Sequence, residues 1–126
     1  MGKRYLIDTN IIIYFLSQEL PPNGLKFISK IIDDEFNLSV ISKIEVLGYP
    51  NIKESTVKFI ALANVFNIDD KIVDVTIQLR REFLKIKLPD AIIAATALIN
   101  NFELITRNTK DFKKIKSLKV MNPFDL

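Results

Sequence analysis

Two features of the chain predict an α/β protein with a largely parallel sheet. Short strand-like apolar stretches alternate with longer helix-like ones, without an internal repeat or an obvious linker, which is the pattern of strand–helix–strand units. The second feature is PDAIIAATALINN, apolar around nearly its whole circumference, which implies a buried central helix. With 126 residues, 48% of them hydrophobic, the chain has the size of one compact domain over residues 1–126 and is too small for two comfortable cores.

Taken in order, residues 3–7 read as the first strand, followed by the helical stretch NIIIYFLSQ, which Pro21 and Pro22 must interrupt. Residues 23–33 form a second, amphipathic helix. FNLSVIS reads as the second strand, and SKIEVLG begins a short helix at Ser42 that Gly48 and Pro50 end. Residues 54–63 are helical and NVFNID is the third strand. From Asp70 to about residue 85, apolar side chains at Ile72, Val73, Val75, Thr76, Leu79 and Phe83 mark a long amphipathic helix. Pro89 and Asp90 open the buried helix, FELIT is strand four, KDFKKI makes a helical turn or two, and LKVMNP is strand five.

The inventory narrows the chemistry. With no cysteine and no histidine, disulfides, thiolate metal sites, Ser-His-Asp triads and histidine bases are excluded, and any metal must be held by oxygen. No signal peptide opens the chain, and the longest apolar stretch, AIIAATALI, falls short of the roughly 20 residues that span a bilayer. A cytoplasmic protein without a membrane segment is expected. The formal net charge of +3 permits a polyanionic partner, although basic runs such as LRREFLKIK also serve as solvated helix faces.

Four acids fall where an apolar strand ends or a helix begins: Asp8 after YLI, Glu45 after SVISKI, Asp90 after LP, and Asp111 after ITRNTK. In an open parallel sheet the carboxyl ends of the strands share one edge, so residues distant in sequence converge there. Each acid alone has a plainer reading. SKIE matches a capping box, Asp90 could favour the positive end of a helix dipole, and Asp111 could be a surface residue. Asp8 resists such a reading best. Together, several carboxylates within about 5 Å repel one another unless they protonate or bind a cation. Magnesium or manganese, hard ions that take oxygen ligands and substrate phosphate, would resolve the conflict and suit phosphodiester hydrolysis.

LIDTNIIIYFL, ISKIEVLGYP, KLPDAIIAATAL and LITRNTKDF together resemble, in that order, the signature blocks of the PIN domain, over essentially the whole chain. The resemblance is to small PIN proteins of the VapC-like type, the toxin halves of type II toxin–antitoxin pairs. It implies a three-layer α/β/α sandwich with a central parallel sheet of about five strands ordered 3-2-1-4-5. It also implies a Mg²⁺- or Mn²⁺-dependent endoribonuclease, a cognate antitoxin and a homodimer. Carried over by position, Asp8, Glu45 and Asp90 match the first three acids. Relatives place the fourth at the position of Asn108 or of Asp111, and because Asn108 is uncharged the assignment falls on Asp111, with Asn108 as polar support. Asn10, Thr106 and Ser42, together with Thr9, match supporting positions. Asp8, Asp90 and Asp111 would ligate one metal ion or two, and Glu45 would hold or deprotonate the attacking water. Arg4, Arg80, Arg81, Lys85, Lys87 and Arg107 are candidates for steering the RNA backbone.

Other readings have weaker support. A covalent phosphatase of the haloacid-dehalogenase pattern needs a second aspartate where this chain has Asn10. A PIN nuclease outside toxin–antitoxin systems, acting in RNA processing or on DNA, and a catalytically silent binding module are the remaining alternatives.

Overall fold

The structure, a computed structural model, describes residues 2–126. Its elements are β1 (Tyr5–Ile7), α1 (Thr9–Leu16), α2 (Pro22–Asp34), β2 (Asn37–Ser39), α3 (Val40–Leu47), α4 (Glu54–Ile60) and β3 (Asn64–Phe66). They continue with α5 (Asp70–Glu82), α6 (Leu88–Ile99), β4 (Glu103–Ile105), α7 (Thr109–Phe112), β5 (Val120–Met121) and a 3₁₀ turn at Pro123–Asp125.

All strand pairs are parallel, β1 with β4, β4 with β5, and β2 with β3. The expected single five-stranded ladder is interrupted: β1-β4-β5 and β2-β3 form two hydrogen-bonded sheets. Asn37 explains how the seam is held. Its Nδ2 donates to the Tyr5 carbonyl at 2.9 Å and its Oδ1 accepts from Asn64 Nδ2 at 3.2 Å, so a side chain links β2 to β1 where a backbone ladder would otherwise run.

Strand alternation sorts the core into two layers of packing. Leu6 and Leu104 face a cluster with Ile72, Leu79, Ile93 and Phe112, on the side of α5 and α6. Ile7 and Ile105, the next residues along the same strands, face Ile11, Ile12, Ile28 and Leu38 on the side of α1 and α2. Residues 91–97 of α6 are all buried, as its continuous apolar surface predicts, and Thr96 satisfies its hydroxyl on the Ile92 carbonyl at 2.7 Å.

Several helix boundaries differ from expectation, α4 stopping at Ile60 and α5 at Glu82, short of residues 63 and 85. α1 ends at Leu16, before the prolines, and Gln18 turns the chain with φ 59°. Pro22 then serves as the first residue of α2. More consequentially, α3 begins at Val40 with Ser39 as its cap, the Ser39 Oγ accepting from the Ile41 amide at 3.1 Å. Ser42 lies inside the helix, so the capping-box reading of SKIE fails and Glu45 is released from it.

Candidate active site

Asp8 leaves the end of β1 and caps α1, its Oδ1 accepting from the Thr9 amide at 2.8 Å. Thr106, directly after β4, donates its hydroxyl to Asp8 Oδ2 at 2.7 Å and accepts from the Asn108 amide at 3.0 Å. A relay of donors therefore runs from the loop before α7 through Thr106 into the buried carboxylate. Asp8 is only 5% exposed, and burial pushes its pKa up to about 6 against the pull of these two donors, with the charges of Asp90 and Glu45 adding to the rise.

Thr9 turns the second side of the site. Its Oγ1 lies 2.6 Å from Glu45 Oε1 and 2.9 Å from Ser42 Oγ, which ties α1 to α3 and fixes the carboxylate of Glu45. A threonine hydroxyl has one proton, and the carboxylate, an acceptor only, takes it in preference to the serine. Glu45 itself is exposed.

Asp90 stands in the first turn of α6, half-buried. A carboxylate placed only to favour a helix N-terminus would sit below its usual pKa. Asp90 is instead raised, by burial first and then by Asp111, with Lys87 opposing and Glu45 adding. Asp111 is exposed in α7, its Oδ2 accepting from Asn108 Nδ2 at 2.6 Å, and Asn10 Oδ1 accepts from the Arg107 amide at 3.3 Å. Asp8 thus feels the charges of Asp90 and Glu45, and Asp90 those of Asp111 and Glu45, although among the described residues no three acids stand close enough to hold an ion as a group. Thr9, Thr106 and Asn108 bond directly to these acids, whereas Asn10 and Ser42 bond to the Arg107 amide and to Thr9.

A cleft of about 510 Å³ runs beside Asp90 and Asp111, with Lys85, Lys87 and Lys114 among its lining residues. Lys114 and Glu82 were not singled out from the sequence; the only sign of the former was its place in the basic run KDFKKIKSLK. Arg4 departs from expectation. It precedes β1, at the opposite edge of the sheet from Asp8, and pairs with both oxygens of Glu35 at 2.9 Å while its guanidinium lies 4.9 Å from the Phe102 ring. Arg80 and Arg81 are exposed in the last turn of α5, and the cleft takes its lining from the residues that follow them.

Residues 5–118 match the family model of the PIN domain. The chain belongs to the PIN domain family. A 51-residue stretch is 45% identical to a Ribonuclease VapC of Rickettsia bellii (strain RML369-C), covering 40% of this chain and 36% of that protein, so the match spans little more than a third of the relative's length. Over nearly full length the PIN domain is similar to a chain of a toxin–antitoxin complex from Klebsiella pneumoniae, with 34% identity, TM-score 0.76, and 97% and 99% of the two chains covered. It is similar also to a chain of VapBC2 from Rickettsia felis, solved bound to a DNA fragment from its promoter, with 25% identity, TM-score 0.78, and coverage of 94% and 97%.

Proposed function

We propose that this PIN domain is a divalent-cation-dependent endoribonuclease and the toxin of a type II toxin–antitoxin pair. The observation that carries the reading is Asp8: a buried carboxylate held by two donors, raised by burial and by the charges of two further acids. Above its raised pKa such a carboxylate opposes folding unless a cation offsets it.

The donor set fits magnesium or manganese, since every candidate ligand is oxygen. Asp8, Asp90 and Asp111 would supply the protein oxygens, and magnesium commonly completes its shell with water. A bound ion would supply charge stabilisation at the phosphoryl oxygens. The protein's own groups do the rest. Thr106 and the Thr9 amide keep the Asp8 carboxylate fixed, and Thr9 holds one oxygen of Glu45. The second Glu45 oxygen is left to orient the attacking water and take its proton. Lys85, Lys87 and Lys114 offset the repulsion that a polyanion meets beside the acids.

The antitoxin partner is supported by the relatives solved as toxin–antitoxin assemblies. Leu84, exposed by 87%, adds apolar surface in the cleft beside Asp90 and Asp111, where an inhibitory protein would close over the acids. A homodimer and a cytoplasmic location complete the proposal; no helix among the described residues is long and apolar enough to cross a membrane.

The test is cleavage of single-stranded and structured RNA with Mg²⁺, Mn²⁺ or EDTA, beside Asp90→Asn. Cation-dependent cleavage that the substitution abolishes supports the reading. Cleavage that persists in EDTA and in Asp90→Asn contradicts it, and intact RNA binding without cleavage in either metal moves the reading to a silent binding module.

A further inference from the structure

Among the described residues Arg107 is the cation that lies against two aromatic rings. It follows Thr106, the residue that donates to Asp8, and its amide is fixed on Asn10 Oδ1 at 3.3 Å. Its guanidinium carbon lies 4.1 Å from the centroid of Phe124 and 5.0 Å from that of Tyr14. Those two rings meet edge to face at 75° with centroids 5.1 Å apart, so they form a corner into which the planar cation fits. Arg4, the other arginine over a ring, spends its donors on Glu35. Arg107 has no carboxylate partner among the described residues and is exposed.

A guanidinium recognises in two ways, through its face and through the N–H donors at its edge. With the rings at 75° to each other the guanidinium can lie flat on only one of them, and the N–H donors that point away from both rings are the ones left to bind. Stacking also removes much of the rotamer freedom that an exposed arginine would lose on binding, so the edge is presented ready oriented. An unpaired edge of N–H donors fits a phosphate group, which accepts two parallel hydrogen bonds.

We infer that Arg107, seated on Tyr14 and Phe124, is a phosphate clamp for a phosphodiester of the single-stranded RNA lying beside the acids rather than at them. The inference rests on the ribonuclease reading and adds to it a phosphate-binding group in the loop that carries Thr106 and Asn108. The corner depends on the far end of the chain, because Phe124 belongs to the 3₁₀ turn that packs on α2, where a Cβ added at Gly24 would stand 2.6 Å from the Pro123 carbonyl oxygen.

The experiment is fluorescence anisotropy of a labelled single-stranded RNA oligonucleotide in EDTA across a salt series, with the wild type, Arg107→Ala, Arg107→Lys and Phe124→Leu, each shown folded by circular dichroism. Loss of one phosphate contact in Arg107→Ala is expected to weaken Kd about 10-fold and to lower the slope of log K against log salt by about 0.7. Arg107→Lys should restore the slope without the full affinity, because a point charge lacks the bidentate edge. Phe124→Leu should weaken Kd while leaving the slope intact, since it loosens the cation without removing it. Equal Kd and slope for wild type and Arg107→Ala overturns the clamp and points the guanidinium toward a protein carboxylate instead. A wild type that does not bind the oligonucleotide in EDTA overturns the clamp, one that also fails to cut it in Mg²⁺ and Mn²⁺ overturns the ribonuclease reading, and shortening of the oligonucleotide in EDTA overturns cation dependence alone.

Discussion

Thr106 Oγ1 donates to Asp8 Oδ2 at 2.7 Å, joining the ends of β4 and β1 by a buried side-chain bond between residues 98 positions apart. The bond opposes the rise in the Asp8 pKa that burial imposes. Thr106→Val keeps the shape and removes the donor, so the Asp8 pKa should climb further above about 6. Cleavage at neutral pH is expected to fall about 10- to 100-fold, with the acid limb of the pH–rate profile moved to higher pH. Thr106→Ser should preserve the limb. A valine variant with an unmoved profile would mean that the bond does not tune Asp8.

The cation-free protein should carry a pH signature of the same residue. A carboxyl raised from 3.8 to about 6 on folding favours the native state most below the unfolded value, and that contribution is lost as pH rises through the folded one. The difference corresponds to roughly 3 kcal/mol. Urea unfolding in EDTA should therefore show Asp8→Asn gaining stability on the wild type at pH 7.5, by about 1–3 kcal/mol once one lost hydrogen bond is counted, and little gain at pH 4. Glu35 has the opposite sign: held below its usual value by Arg4, it contributes stability that is lost as pH falls, in both proteins alike. An Asp8→Asn advantage that is the same at both pH values would contradict the assignment.

Ser39 and Ser42 should behave differently although only two residues lie between them. Ser39 caps α3, so Ser39→Ala is expected to cost about 1 kcal/mol of stability with cleavage nearly unchanged. Ser42 lies against Thr9 instead, so Ser42→Ala should spare the cap and lower cleavage by loosening the hold on Glu45. Thermal melts beside cleavage rates separate the two, and a reversed pattern would restore the capping box.

At Gly24 the fold has no room for a side chain. Gly24→Ala places a methyl against backbone, which must shift, and a loss of about 1–3 kcal/mol is expected in urea unfolding. An unchanged midpoint would show that α2 and the C-terminal turn separate freely.

What could be read from the sequence follows from the range of the interactions. Asp8, Glu45, Asp90 and Asp111 were visible because each follows a short apolar stretch, and sheet topology carries such positions to one edge, although Glu45 stands in the second half of α3 and not at a strand–helix boundary. The buried α6 was visible in its own run of alanines and isoleucines. The start of α3 was not, since Ser39 and Ser42 both offer a capping hydroxyl and only packing selects between them. Nor was the seam between β2 and β1, which depends on Asn37 reaching Tyr5, nor the withdrawal of Arg4 to Glu35, a pair 31 residues apart. The aromatic corner under Arg107 joins Tyr14 near one end of the chain to Phe124 at the other, and no local pattern announces it.

The central claim is that these carboxylates are one cation site, and calorimetric titration of Mn²⁺ into the purified chain at pH 6.5 tests it most directly. Saturable binding with proton release is predicted, because Asp8 is partly protonated there, and Asp90→Asn should weaken the affinity about 10-fold or more. Binding that Asp90→Asn leaves unchanged, or no binding at millimolar Mn²⁺, would contradict it.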